Sequence, residues 1–123
     1  PIPANAIVSD FVPHGAVLEN AGLVLSHAGH GIVMKSLYYG VPMVLVPWAR
    51  DQFGVARRAE ALGVAEVVRR EDCSGERVAA AVNRVFADDR YARKASEISR
   101  RLRTEKPADR ACRYIEELLR QDM

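Results

Sequence analysis

Long apolar runs are missing from this 123-residue sequence. A helix needs about 20 consecutive apolar residues to cross a bilayer, and no stretch approaches that, so no transmembrane helix is expected. Cysteine is scarce. Cys73 and Cys112 lie far apart and match no metal or redox spacing, which argues against a disulfide scaffold and for free thiols in a reducing, cytoplasmic setting. An excess of one charge is also lacking: Lys and Arg total 18 against 16 Asp and Glu, a net +2 that implies no obligatory acidic partner. The first residues show no charged region leading into an apolar signal core. They read Pro1-Ile2-Pro3-Ala4-Asn5 without a methionine, which suits either a processed end or a piece of a longer polypeptide.

What remains is an ordinary globular composition, 49% hydrophobic and 28% charged, in a length that fits one domain. Residues 6–12 (AIVSDFV) are β-rich and closed by Pro13, and are expected to form a strand. Residues 17–21 allow one or two helical turns. Leu23-Val24-Leu25 is a continuous apolar run, expected to be a strand covered on both faces. Val33, Met34, Leu37 and Tyr38 follow helical spacing over residues 32–39, with Gly40 as the stop. Residues 43–46 (MVLV) form a second buried-type strand. Asp51 can cap a helix whose apolar face is Phe53, Ala56, Ala59 and Leu62, ended by Gly63.

Residues 64–68 resemble a further strand. From Ser74 onward the pattern is helical: Val78, Ala81, Val82, Val85 and Phe86 in one stripe, then Tyr91, Ala95, Ile98 and Leu102 after a cap at Asp88 or Asp89. A last helix opens at Pro107 with Ala111, Ile115 and Leu118 facing inward. Strands alternating with helices predict an α/β fold, a Rossmann-like parallel sheet of about four strands with helices on both faces and a helical tail. Doubly wound sheets usually have about five or six strands, so a portion preceding residue 1 is expected.

The chemistry concentrates in residues 26–52, SHAGHGIVMKSLYYGVPMVLVPWARDQ. His27 and His30 are three apart, but no third ligand follows at a usable spacing, and no metal is expected. Glycine in a strand-to-helix turn can simply serve the turn. The position favours more: ligands of open α/β sheets bind outside the carboxyl ends of strands, where this loop lies. Gly29 and Gly31 let an anion approach the backbone, and a helix starting near Ile32 offers free N–H groups and a positive dipole end. His27 can add a ring N–H to a phosphate oxygen. No Gly-Lys-Ser/Thr follows, so this is not a Walker loop. After the next strand, Asp51 and Gln52 together offer three acceptor oxygens and two amide donors, which suits adjacent sugar hydroxyls, while Asp51 could instead serve only as a helix cap.

These residues resemble the donor-binding signature of the UDP-glycosyltransferase superfamily. Its members are inverting glycosyltransferases of two-domain GT-B architecture, here of the bacterial type that glycosylates macrolides and other natural products. The likeness rests on histidine-x-glycine-x-glycine, a Gly-Val-Pro turn, an apolar strand and a Pro-x-x-x-Asp-Gln ending, and it runs from Ala4 to about Val68. It implies that His27, Gly29, Gly31 and the N–H of Ile32 bind the donor diphosphate and that Asp51 and Gln52 bind the transferred sugar. It also implies that Phe11, Val12 and His14 contact the nucleobase, with Phe11 stacking on it; a strand-core aromatic is the alternative for Phe11. Ile32 stands where the family has Thr or Ser, Lys35 where many members have a ribose-binding Glu, and His14 in place of Gln. Without that carboxylate no preference for UDP over dTDP is supported, and the balance tilts slightly to dTDP.

The resemblance further implies that the catalytic base is a histidine of an N-terminal acceptor domain, so no catalytic residue is expected among residues 1–123. The chain then corresponds to a donor-binding domain lacking its first strands, inactive alone, with its acceptor domain in the same protein or a separate subunit. No cofactor or metal is implied beyond the UDP- or dTDP-hexose substrate. The alternative is a non-catalytic nucleotide-binding or partner-binding module. A basic stretch from Arg90 to Arg113 carries nine Lys and Arg against three acidic residues, but its arginines fall opposite the apolar stripe. A solvated helix face is expected there, not a nucleic-acid surface.

Overall fold

The computed structural model describes residues 1–121. Helix α1 (His14–Leu18) precedes β1 (Val24–Ser26), α2 (His30–Tyr39), β2 (Met43–Leu45), α3 (Gln52–Ala61) and β3 (Ala65–Val67). A 3₁₀ turn (Arg70–Asp72) leads to α4 (Gly75–Ala87), α5 (Asp89–Glu105) and α6 (Pro107–Gln121). The strands among the described residues form one parallel sheet in the order β1-β2-β3, with Ser26 opposite Leu45 and Leu45 opposite Val67. No described helix is long and apolar enough to cross a membrane.

Strand β2 is the centre of this arrangement. Its three residues are fully buried, and the alternation of side chains sends them to two different cores. Met43 and Leu45 pack with Val33 and Leu37 of α2, Val55, Ala56 and Ala59 of α3, and Ala95 of α5. Val44 packs on the other face with Val46, Val68 and the α4 residues Ala81 and Val85. Burying each such side chain contributes about 1.5–3 kcal/mol. The expected α/β sheet with helices on both faces is therefore present.

Several local expectations change. Residues 6–12 are irregular and exposed, so the sheet has three strands where about four were expected. No neighbouring strand among the described residues offers them a ladder, and Ile7, Val8 and Phe11 lie open to solvent. The first helix starts at His14, directly after Pro13, and not at Val17. Strand β1 is covered less than its apolar run suggested: Leu25 is 52% exposed, because β1 is an edge with no strand beyond it among the described residues. Helix α3 buries Val55, Ala56 and Ala59, while Phe53 and Leu62 stay half exposed. Helix α6 forms as expected but buries no residue, and Ile115 and Leu118 face solvent since no element among the described residues covers that stripe.

The ends of α2 are handled differently. At its C-terminus the Tyr38 carbonyl accepts from Ser99 Oγ at 2.6 Å and from Arg103 Nε at 3.2 Å, both from α5. The Arg103 guanidinium also lies 4.2 Å from the Tyr38 ring centroid. A carbonyl orphaned by the helix end thus gains two donors, and a cation sits where the dipole favours one. Gly40 closes the helix in the left-handed region at φ 71°, pressed against α5. Its N-terminus, by contrast, has neither a side-chain cap nor an acidic residue in its first turn.

Helices α4 and α5 start on side-chain caps, Ser74 Oγ accepting from the Arg77 N–H and Asp88 Oδ1 from the Arg90 N–H. The Asp88 carboxyl is held down at about 2 by hydrogen bonds from the Arg90 side chain first and its backbone N–H second. Arg84 pairs with Glu66 and so ties α4 to β3. On the basic face of α5 a shallow depression of about 670 Å³ is lined by α5 side chains, and Lys94 and Glu97 pair there.

Two outcomes follow for stability. Gly63 is also left-handed, at φ 73°, but a Cβ there would meet only the flexible Lys94 side chain at 3.7 Å. At Gly40 it would lie 3.3 Å from Ser99 Cβ and 3.4 Å from the Ser96 backbone. Gly63→Ala is expected to destabilise by about 1 kcal/mol, from the left-handed backbone alone. Gly40→Ala should lose about 2 kcal/mol, because α5 must also shift; urea denaturation of both variants measures the difference. For Asp88 the folded value lies below that of an unfolded aspartate, about 3.9. Its contribution is therefore complete above that value and lost as pH falls toward 2. A carboxyl NMR titration should place the Asp88 midpoint near 2, and Asp88→Asn should remove this part of the acid sensitivity.

Candidate functional site

The loop after β1 is built around a turn that glycine does not make. Ala28 has φ 66° and is fully buried in the core cluster with Val33 and Leu37. A left-handed alanine costs about 1–2 kcal/mol, and here the burial of its methyl group opposes that cost. Its N–H donates to Ser26 Oγ at 3.3 Å. Below it, the Val46 N–H donates to the Ser26 carbonyl at 2.8 Å and ties the carboxyl ends of β1 and β2 together.

With Ala28 turned inward, His27 is left at the surface. Gly29 is the cap of α2, and a Cβ added to it would lie 2.9 Å from His27 Nε2, so the imidazole occupies the space that the missing side chain leaves. At Gly31 an added Cβ would meet nothing within 4 Å. The first helix-closing bond runs from the Val33 N–H to the Gly29 carbonyl at 3.1 Å, which leaves the N–H groups of His30, Gly31 and Ile32 without helical acceptors. Ile32 keeps its side chain partly buried, and its carbonyl accepts from Ser36 Oγ at 2.8 Å. The four residues singled out for phosphate thus lie together: a helix start bearing roughly half a positive charge, a ring nitrogen beside it, and open space over Gly31.

The parallel neighbour β2 delivers the second loop to the same end of the sheet. Here the amide oxygen of Gln52 is already engaged. Its side-chain oxygen accepts from the Trp48 N–H at 2.9 Å and the Ala49 N–H at 3.0 Å, holding the loop closed. The pair therefore offers two carboxylate oxygens from Asp51 and the amide donors of Gln52, not three acceptors. Asp51 occupies the cap position of α3 in αR backbone, and its side chain makes no capping bond, so the carboxylate stays exposed and free. Arg50 beside it is left-handed at φ 56°.

Phe11, Val12 and His14 gather in a third place, a surface cavity of about 360 Å³ that also includes Lys35. Phe11 is 81% exposed, which removes the strand-core alternative for it. The start of α1 is set by Gly15, where a Cβ would come within 2.8 Å of the Tyr39 hydroxyl, so the glycine lets α1 lie close on α2. His14 Nδ1 then stands 3.5 Å from Lys35 Nζ. Lys35 is one helical turn beyond Gly31 on the same face of α2, so this cavity and the helix start lie along one side of that helix. No described hydrogen bond joins the three groups of residues to one another.

Two partners were not legible beforehand. Lys35 stood out only as an unusual residue, and its approach to His14 depends on how α1 docks. Arg70, in the 3₁₀ turn after β3, stacks its guanidinium 4.9 Å from the Trp48 ring centroid; no sequence spacing links the two.

Residues 1–118 match the family model described as erythromycin biosynthesis protein CIII-like, C-terminal domain. An uncharacterized UDP-glucosyltransferase of Bacillus subtilis strain 168, YojK, is 32% identical over 120 residues, 98% of this chain and 30% of that protein. The solved glycotransferase of kitacinnamycin is 35% identical with a TM-score of 0.84, over 94% of this chain and 30% of that one. Glycosyltransferase VinC, solved in complex with dTDP, is 31% identical with a TM-score of 0.77, over 81% of this chain and 25% of that one. The chain thus spans about a third of the length of such relatives.

The double acceptance by Gln52 carries its own test. Gln52→Leu should leave the Trp48 and Ala49 amides without their acceptor and speed their hydrogen exchange about tenfold, whereas Gln52→Glu, which keeps the oxygens, should retain most of the protection.

Proposed function

This chain belongs to the erythromycin biosynthesis protein CIII-like C-terminal domain family, and on that premise we propose that it is the donor-binding part of a GT-B glycosyltransferase. The whole enzyme transfers a hexose from a UDP- or dTDP-sugar to a hydroxyl of a small natural-product acceptor, with inversion. The observation that carries this reading is the uncapped start of α2, where Gly31 leaves the approach open and His27 stands beside Gly29. The dTDP of VinC and the UDP-sugar name of the Bacillus relative support the nucleotide class and leave both bases in play.

In this reading the diphosphate sits on the N–H groups of Gly31 and Ile32, with His27 donating to a phosphate oxygen. Asp51 accepts from sugar hydroxyls, and the Gln52 amide donates to them. The base stacks on Phe11 beside Val12 and His14. The acceptor oxygen attacks the anomeric carbon as the bond from that carbon to the diphosphate breaks, and the proton passes to a base on an acceptor domain outside residues 1–123, in the same protein or a separate subunit. The helix end and His27 stabilise the charge that develops on the leaving diphosphate. That neutralisation needs no metal or other cofactor. The setting is cytoplasmic, where nucleotide sugars are made, and the chain alone transfers nothing.

Titration of the chain with dTDP, UDP and their glucose conjugates, followed by amide NMR, tests this directly. The amides of Gly29, Gly31 and Ile32 should shift with either diphosphate. His27→Ala should weaken diphosphate binding about tenfold, the worth of one hydrogen bond to a charged group, and Gly31→Val should abolish it. Asp51→Ala should weaken only the sugar conjugates. Amides that stay unmoved at millimolar diphosphate would refute donor binding by this chain.

A further inference from the structure

The loop between β2 and α3 is held from two directions, and only one of them is local. Gln52 grips its backbone through the Trp48 and Ala49 N–H groups. The other grip is the Arg70 guanidinium, which comes from the turn after β3 and lies 4.9 Å from the Trp48 ring centroid. The neighbouring Arg69 is engaged with Asp72, through Nε at 3.0 Å and Nη2 at 2.9 Å. Arg70 forms no ion pair among the described residues, so its visible partner is the indole face.

Such a loop needs a second hold. Arg50 is left-handed, and the Asp51 side chain makes no capping bond. Trp48 itself is 47% exposed, so burial does little to fix its ring. The connection after β3 is in turn anchored to β2, since the Val68 N–H donates to the Leu45 carbonyl at 2.9 Å.

We propose that Arg70 is a positioning residue for the sugar end of the donor site: by stacking on Trp48 it holds residues 48–51 so that the Asp51 carboxylate faces the transferred sugar. This rests on the donor-binding reading above and adds a residue of the β3–α4 connection to the parts that set discrimination between a nucleotide sugar and the bare nucleoside diphosphate. No described hydrogen bond or ion pair joins Arg70 to the residues assigned to the diphosphate, so its loss acts on the sugar end.

Trp48 is the single tryptophan of the chain, and its emission reports the stack without a label. Arg70→Ala and Arg70→Lys are compared with the unaltered chain in three measurements: Trp48 emission, hydrogen exchange of the Trp48 and Ala49 amides, and calorimetric affinity for dTDP and dTDP-glucose. Arg70→Ala should shift the emission, speed the two amides, and weaken dTDP-glucose about fivefold while leaving dTDP unchanged. Arg70→Lys, which keeps a cation over the ring, should recover part of each effect. Exchange and emission like those of the unaltered chain would overturn the hold itself, whatever the affinities. An equal loss for dTDP and dTDP-glucose would overturn the positioning role, since it would mean a contact to the diphosphate or a general loss of fold. An unaltered chain that binds neither nucleotide would overturn the donor reading and the sugar role with it, while exchange and emission still judge the hold.

Discussion

The parallel pairing of β2 with both neighbours is the constraint from which the rest of this molecule follows. A parallel sheet puts the carboxyl ends of all its strands on one side. The loops after β1 and β2, and the turn after β3, therefore emerge together, although they are widely separated in the chain. The bonds from Val46 to Ser26 and from Val68 to Leu45 continue the ladder just past the strands and align the three exits. Because β2 is buried on both faces, its register cannot slip without moving Met43 and Leu45 out of one core and Val44 out of the other.

On that frame, two residues of unfavourable backbone sit at the strand exits. Ala28 and Arg50 are left-handed residues without the freedom of glycine, one in each of the first two exit loops. Each is surrounded by interactions that leave it little choice: Ala28 by the core that takes its methyl group, Arg50 by the Gln52 oxygen that closes its loop. Strain held in place this way is common where a loop must present groups in one arrangement. Helix α2 shows the same economy in its electrostatics. Its carbonyl end is neutralised by Ser99 and Arg103 of α5, and its amide end is left bare.

How much of this was legible follows from how local each signal is. The Gly40 stop, the helical pattern from Ser74 onward, the cap at Asp88, the Pro107 start and the buried run of β2 were readable because a few adjacent residues decide them. The failures share a different cause. Residues 6–12, Leu25 and the Ile115/Leu118 stripe all look apolar enough to be inside, but pattern states only that a face is apolar, and what lies across from it decides whether it is covered. The open turn at Gly29 and Gly31 was readable for the same reason as the caps, since a glycine's missing Cβ is a property of one residue. That Gln52 turns its oxygen inward, or that Arg70 reaches Trp48, required knowing which amides and rings the fold brings near.

The last helix separates two things that usually come together, order and burial. α6 is helical over its whole length, yet it joins the rest through Lys106, a left-handed residue at φ 44°, and an exposed pairing of Arg110 with Glu105. A helix of this length holding no tertiary surface is marginal in water. Its melting is then expected to be separable from that of the sheet, with two free energies of unfolding where the continuous sequence suggests one. The β2 frame, and everything that its loops display, is built without a buried side chain from α6.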